Sequence, residues 1–122
     1  MKILIAGENR LSISVLRICV ADLAVRTEIA STRAAFARMA VTGAYNVIVS
    51  FFAEPFLDGS DLARAIPNRS IAFPAIFVLS WSQYEPYIMG IYESGVDQFF
   101  ALPCDMDRFR ARLVQYLQKS AP

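Results

Sequence analysis

YNVIVSFFAEPFLDG, residues Tyr45–Gly59, reads as a buried strand over Asn46–Phe51, a loop holding Pro55, and an Asp58-Gly59 turn that opens a helix. A strand tip that carries chemistry usually ends in a polar or acidic residue. Here the tip is Phe51-Phe52. The other apolar runs are of the same short, β-branched kind: Lys2–Ala6 (KILIA) and Ala75–Leu79 (AIFVL) show little alternation, the pattern of strands covered on both faces.

Between these runs lie helical signals. Leu11, Val15, Ile18 and Cys19 recur at helical spacing, with Arg17 and Asp22 on other faces, which predicts a helix over Leu11–Leu23 after the loop Gly7-Glu8-Asn9. Val25–Ala30 alternates and is more polar, as an edge strand does. Thr32 caps a predicted helix from Arg33 to Val41 that Gly43 ends. Ser60–Ile66 is a short helix stopped before Pro67. A further helix starts between Gln83 and Pro86 and ends at Gly95. Gln98–Leu102 is the last strand, broken by Pro103. Asp105 then caps Met106–Gln118, whose stripe is Phe109, Leu113, Tyr116 and Leu117. Strand and helix thus alternate along the whole chain at lengths suited to right-handed crossovers. That pattern predicts an α/β fold, a mostly parallel sheet with helices on both faces.

Composition narrows function. The 122 residues suit one domain, read as residues 1–118 with 119–122 (KSAP) as a tail or the start of a linker. Twelve Lys and Arg against eleven Asp and Glu leave a net charge of +1 with no basic run, which argues against nucleic acid and against an anionic membrane surface. There is no His, so the commonest general base and metal ligand is missing. The uncharged runs Met39–Ala53 and Ser70–Tyr84 fall short of the ~20 apolar residues of a membrane span. Ile3–Ala6 is too short for a signal peptide, and the reading is cytoplasmic. Cys19 and Cys104 form no CxxC and read as buried free thiols. The apolar fraction of 56% exceeds the usual ~45–50%, which predicts an exposed apolar patch and a partner for it.

In open parallel sheets ligands bind beyond the carboxyl ends of the strands, so Gly7-Glu8, Phe51, Ser80 and Leu102 are the residues to question. Here the chain resembles the receiver domain of bacterial response regulators over nearly its whole length. The resemblance rests on KILIAGEN, YNVIVSFFAEPFLDG, PAIFVLS and SGVDQFFALPCD. It implies a flavodoxin-like (βα)5 doubly wound sheet with strand order 2-1-3-4-5. It also implies an acidic Mg²⁺-binding pair after the first strand and a phosphorylated aspartate ending the third, followed by Pro-x-x-Asp-Gly. Thr or Ser should end the fourth strand, and a Lys joined to Pro by a cis bond the fifth. Pro55-Phe56-Leu57-Asp58-Gly59, Ser80, Gly95-Val96-Asp97 and Pro103 match. The departures fall in the active site: Gly7 replaces one of the acidic pair while Glu8 keeps the other, Phe51 stands at the phosphoacceptor, and Leu102 at the lysine.

These losses fit together. A benzyl side chain supplies no nucleophile, and one carboxylate is a poor remnant of an octahedral Mg²⁺ site, so Mg²⁺ binding is expected to be lost and no cofactor is expected. A lysine beside Phe51 would cost about 3–5 kcal/mol as an unpaired charge, whereas burying Phe51 contributes roughly 1.5–3 kcal/mol. The expectation is an apolar plug of Phe51 and Leu102 over Gly7, which leaves it room. Glu8 reads as a solvated loop carboxylate or local cap, and Ser80 as bonded to nearby backbone. The implied role is a pseudo-receiver, not an enzyme, acting as a phosphorylation-independent adaptor.

In the family the fourth helix, fifth strand and fifth helix form the output face, and Phe99 matches its switch aromatic. Trp81, Tyr84, Tyr87, Ile88, Ile91 and Tyr92 surround it, and three tyrosines cannot all turn inward on one short helix. Arg108, Arg110 and Arg112 read as a solvated face, with Arg108 and Arg112 able to pair with Asp97 or Glu93 of a neighbour. The implied partners are proteins: a histidine kinase, another regulator, or a second copy. Two alternatives stand beside this reading. One is the amino-terminal regulatory domain of a longer response regulator. The other is a nucleotide- or flavin-binding protein, for which a lone Gly7 is far from GxGxxG.

Overall fold

In a computed structural model, residues 1–42, 44–51, 74–80 and 96–119 are described, together with Pro86 and Met89. The apolar runs form five parallel strands: β1 (Lys2–Ala6), β2 (Arg26–Ala30), β3 (Val47–Ser50), β4 (Ala75–Ser80) and β5 (Gln98–Ala101). Their order is β2-β1-β3-β4-β5. The predicted order holds, and so does the edge position of the alternating strand β2. Three of the strands end one residue earlier or later than their apolar runs. Asn46 still exchanges backbone bonds with Lys2 and Ala75, and Phe51 and Leu102 donate to Ala6 and Ser80, so the ladder continues past β3 and β5.

α1 (Arg10–Val20) and the C-terminal helix (Met106–Lys119) cover one face, and α2 (Arg33–Thr42) covers the other. Asn9 caps α1 by accepting from the Ser12 amide at 3.0 Å, and Thr32 caps α2 through the Ala35 amide at 3.0 Å. The Asp105 carboxylate accepts from the Asp107 amide at 2.9 Å at the start of the C-terminal helix. Lys119 extends that helix one residue past the predicted end, into the segment read as a tail. The predicted Ser60–Ile66 helix, the Pro55–Gly59 turn and most of the predicted helix ending at Gly95 lie outside the described residues. Pro86 and Met89, which belong to that last helix, are both helical and exposed.

The main correction concerns α1. Its buried residues are Ile13, Leu16 and Val20, while Leu11, Val15 and Ile18 are exposed. Both sets recur at helical spacing on opposite sides of the helix, so periodicity finds the helix without choosing its inner face. The helix also stops at Val20 instead of Leu23, where Ala21 and Leu23 turn back onto the carbonyls of Ile18 and Val20.

Around α1 and the C-terminal helix the core is large and aromatic. Phe77, at 0% exposure, stands edge-on to Phe109 and Tyr116 with ring centroids 6.0 and 5.1 Å away. Phe109, Leu113 and Leu117 are buried and Tyr116 half-buried, as the predicted stripe requires. Arg110 departs from expectation. It is not part of a solvated face but reaches back to the end of α1, where Nη1 donates to the Cys19 carbonyl at 2.6 Å and to Asp22 Oδ1 at 2.7 Å, and Nη2 to Asp22 Oδ2 at 2.9 Å. A cation on the last carbonyls of α1 also suits the helix dipole. The guanidinium holds the Asp22 carboxyl below its usual range. Cys19 and Cys104 are free and half-buried, and burial pushes both thiols up. Among the described residues no helix is long and apolar enough to cross a membrane.

At the amino end of the sheet, the Tyr45 hydroxyl donates to Glu28 Oε1 at 2.7 Å, and Lys2 Nζ lies 3.5 Å from Glu28 Oε2. Burial and the neighbouring carboxylate push Tyr45 up to about 12, while the same bond lowers Glu28. The folded state thus favours protonated Tyr45, a contribution complete below the unfolded tyrosine pKa of ~10 and lost as pH rises through 12. Glu28 works in the opposite sense, contributing above its ordinary range and losing that contribution as pH falls. Tyr45→Phe is expected to lower the melting temperature at neutral pH by roughly 5 °C and to flatten the alkaline limb of the stability–pH curve. Thermal denaturation followed by circular dichroism checks both.

Candidate functional site

The carboxyl ends of the strands bring together Gly7, Phe51, Ser80 and Leu102. The Gly7 amide donates to the Ala30 carbonyl at 3.0 Å and the Phe51 amide to the Ala6 carbonyl at 2.7 Å, so backbone bonds fix both residues beyond their strands. Gly7 is buried. A Cβ placed on it would lie 3.0 Å from Phe51 Cβ and 3.7 Å from Ile13 Cγ1. That approach is tighter than most carbon contacts, so a side chain at Gly7 would require the backbone at Phe51 to give by a few tenths of an ångström.

Phe51 is half-buried and packs on the cluster that contains Leu102, itself only 8% exposed. That cluster also holds Ile13 and Leu79. The Leu102–Pro103 peptide bond is cis, as the resemblance implied. Glu8 is exposed, and Asn9, not Glu8, caps α1. Among the described residues no group of three or more Cys, Asp or Glu side chains is placed to hold a metal ion. Ser80 is buried, and its carbonyl accepts from the Leu102 amide at 2.8 Å.

One polar group escaped sequence reasoning. Ser50, beside Phe51, is fully buried, and its Oγ has no hydrogen-bond partner among the described residues. Its register neighbours are Ala6 and Val78, which offer only backbone. A lone serine ending a strand of Val and Ile carried no signal that it would lie orphaned.

Of the predicted interaction face, Trp81, Tyr84, Tyr87, Ile88, Ile91 and Tyr92 lie outside the described residues. Phe99 is half-buried on the α2 side of the sheet, against the cluster holding Val96 and Ile76. Arg108 and Arg112 are exposed, and among the described residues Arg112 reaches Gln115 of its own helix, at 3.4 Å. Asp97, expected as a partner for a neighbour's arginine, is engaged within the chain. Its Oδ2 accepts from the Ile76 amide at 2.7 Å.

No protein-family model matches the sequence, and no curated protein matches it. Solved structures do match. A two-component response regulator from Clostridium difficile superposes with a TM-score of 0.84 at 14% identity, over 100% of this chain and 99% of that one. A Francisella response-regulator receiver domain gives 0.80 at 22% identity, over 98% of each chain. The receiver domain of a sensor histidine kinase from Pseudomonas aeruginosa PAO1, with magnesium coordinated in its active-site cleft, gives 0.76 at 20% identity, over 96% of this chain and 97% of that one. The fold is that of receiver domains.

The tight contact at Gly7 is with Phe51 Cβ, an atom that every residue but glycine shares. Gly7→Ala is therefore expected to destabilise the domain by about 1 kcal/mol, with the same cost in a Phe51→Ala background and almost none in Phe51→Gly. A double-mutant cycle by urea denaturation measures the difference.

Proposed function

We propose that this chain is a receiver-type module of two-component signalling whose phosphorylation site has turned into core, and that it works by binding protein and not by catalysis. The single observation that supports this most is the residue set at the strand ends, where Gly7, Phe51 and Leu102 carry no carboxylate and no amine. At the position that the resemblance gives to one metal-binding carboxylate there is no side chain, and at that of the nucleophile there is a phenyl ring. A carboxylate at Phe51 alone would face Leu102 in place of a lysine, and its metal would find Glu8 as the one acidic neighbour after β1. Phe51→Asp therefore restores no switch.

Under this reading Mg²⁺ with beryllofluoride, or acetyl phosphate, leaves the amide NMR spectrum of the domain unchanged. Saturable shifts at the ends of β1, β3 and β5 would overturn it. The partner is a protein: a histidine kinase, another regulator, or a second copy of this chain in the cytoplasm. Support for the aromatic face as the contact surface comes from composition, since Tyr84, Tyr87 and Tyr92 crowd one short segment beside Phe99. Tyr87→Glu/Tyr92→Glu is expected to lose the proteins that the wild type retains in a pull-down, and any self-association seen by light scattering. Identical partner lists for the two proteins move the contact elsewhere.

A further inference from the structure

Three sulfurs have no part in the function proposed above. Cys104 and Met106 flank Asp105 at the start of the C-terminal helix, and Cys104 Sγ lies 4.0 Å from Met106 Sδ. Cys19, in the last turn of α1, faces the same place. Burial raises both thiols; beyond burial, Cys19 feels the charges of Arg110, Asp107 and Asp22, and Cys104 those of Asp105 and Cys19. All three side chains pack half-buried on the cluster that holds Phe109, and both cysteines are free. Pro103 and Asp105 beside them are exposed, so small ions reach the loop from solvent.

The sulfur spacing suits a metal ion. Two bonds of about 2.3 Å, the length of zinc–thiolate bonds, drawn from sulfurs 4.0 Å apart meet at about 120°. That is the angle of three-coordinate ligation and wider than a tetrahedron gives. Thiolate and thioether together select a soft ion, and Cu(I) is satisfied by three ligands where Zn²⁺ takes four. A hard divalent ion needs oxygen donors, and among the described residues no three Cys, Asp or Glu side chains gather to hold one. We propose that Cys19, Cys104 and Met106 form a Cu(I) site that ties the end of α1 to the start of the C-terminal helix. Each thiol releases its proton to water as its copper–sulfur bond forms, and Met106 donates a lone pair with no proton lost. The ion remains Cu(I) throughout. Two thiolates around one monovalent cation leave a single negative charge, beside the carboxylates of Asp22, Asp105 and Asp107. Arg110 offsets it from its place on the Cys19 carbonyl.

The test titrates the reduced full chain with Cu(I) under argon in competition with bicinchoninate, whose violet cuprous complex loses colour as the protein takes the ion. One Cu(I) per chain is expected. Met106→Leu keeps the apolar bulk and removes the thioether, so it should bind at least about tenfold more weakly at an unchanged melting temperature. Cys19→Ser and Cys104→Ser should each weaken binding by as much or more. Because burial keeps both thiols protonated at neutral pH, two protons leave on binding. Affinity should therefore fall about a hundredfold for each unit that the pH drops from about 8 to about 6. Equal affinity of wild type and Met106→Leu overturns the site, since a surface thiol taking copper by itself has no use for the thioether. So does a fall of only about tenfold per pH unit, which means one thiol, or binding of several ions per chain. Should a cysteine variant lose its fold, X-ray absorption on the copper-loaded wild type decides: three sulfur neighbours support the site, and two or fewer overturn it.

Discussion

β1, β3 and β4 are buried on both faces, and that two-sided burial is the constraint from which the rest follows. Almost every residue of these three strands is buried, Lys2 alone excepted. Backbone amides and carbonyls at that depth must pair within the sheet. Side chains on both surfaces must then meet helices, and the helices must bring apolar stripes. The aromatic knot around Phe77 meets this demand on one face, and Phe36 and Ala40 of α2 meet it on the other. It also explains why the carboxyl ends of β1 and β3 stay so close. The ladder continues through the Phe51 amide, and nothing at Gly7 holds the strands apart.

Such a sheet is easy to read in sequence because its strands are apolar without alternation. β2 was legible as the edge for the opposite reason, since Arg26 and Glu28 could not have been enclosed. The cis bond before Pro103 was legible as well, through the resemblance alone. What stayed hidden were choices among equivalent residues. α1 offers two apolar stripes, and only packing says which turns inward. Arg108, Arg110 and Arg112 are alike in sequence, and only the position of Asp22, 88 residues away, separates Arg110 from the others. The orphaned Ser50 hydroxyl and the Tyr45–Glu28 bond likewise depend on neighbours distant in the chain.

Within the proposed function, exchanging charge for carbon at the strand ends changes how the domain can be regulated. A ligand moves a conformational equilibrium only through its different affinity for the two states. A site of Gly7, Phe51 and Leu102 provides no group that a phosphoryl anion would bind more tightly in one state than the other. Any bias on such a domain then comes from the proteins that dock on it, and its surfaces matter more than its former pocket.

The strand order has a consequence for how the chain is made. β1 is synthesised first yet lies between β2 and β3. As the nascent chain emerges, β1 can pair along one side as soon as Ala30 is free, but its other side stays open until Ser50 has left the ribosome. For that interval Ile3, Leu4 and Ile5 present an unpaired, wholly apolar edge to the cell, of the kind that chaperones recognise and aggregates recruit. The buried centre of the finished sheet is thus its most vulnerable part during birth.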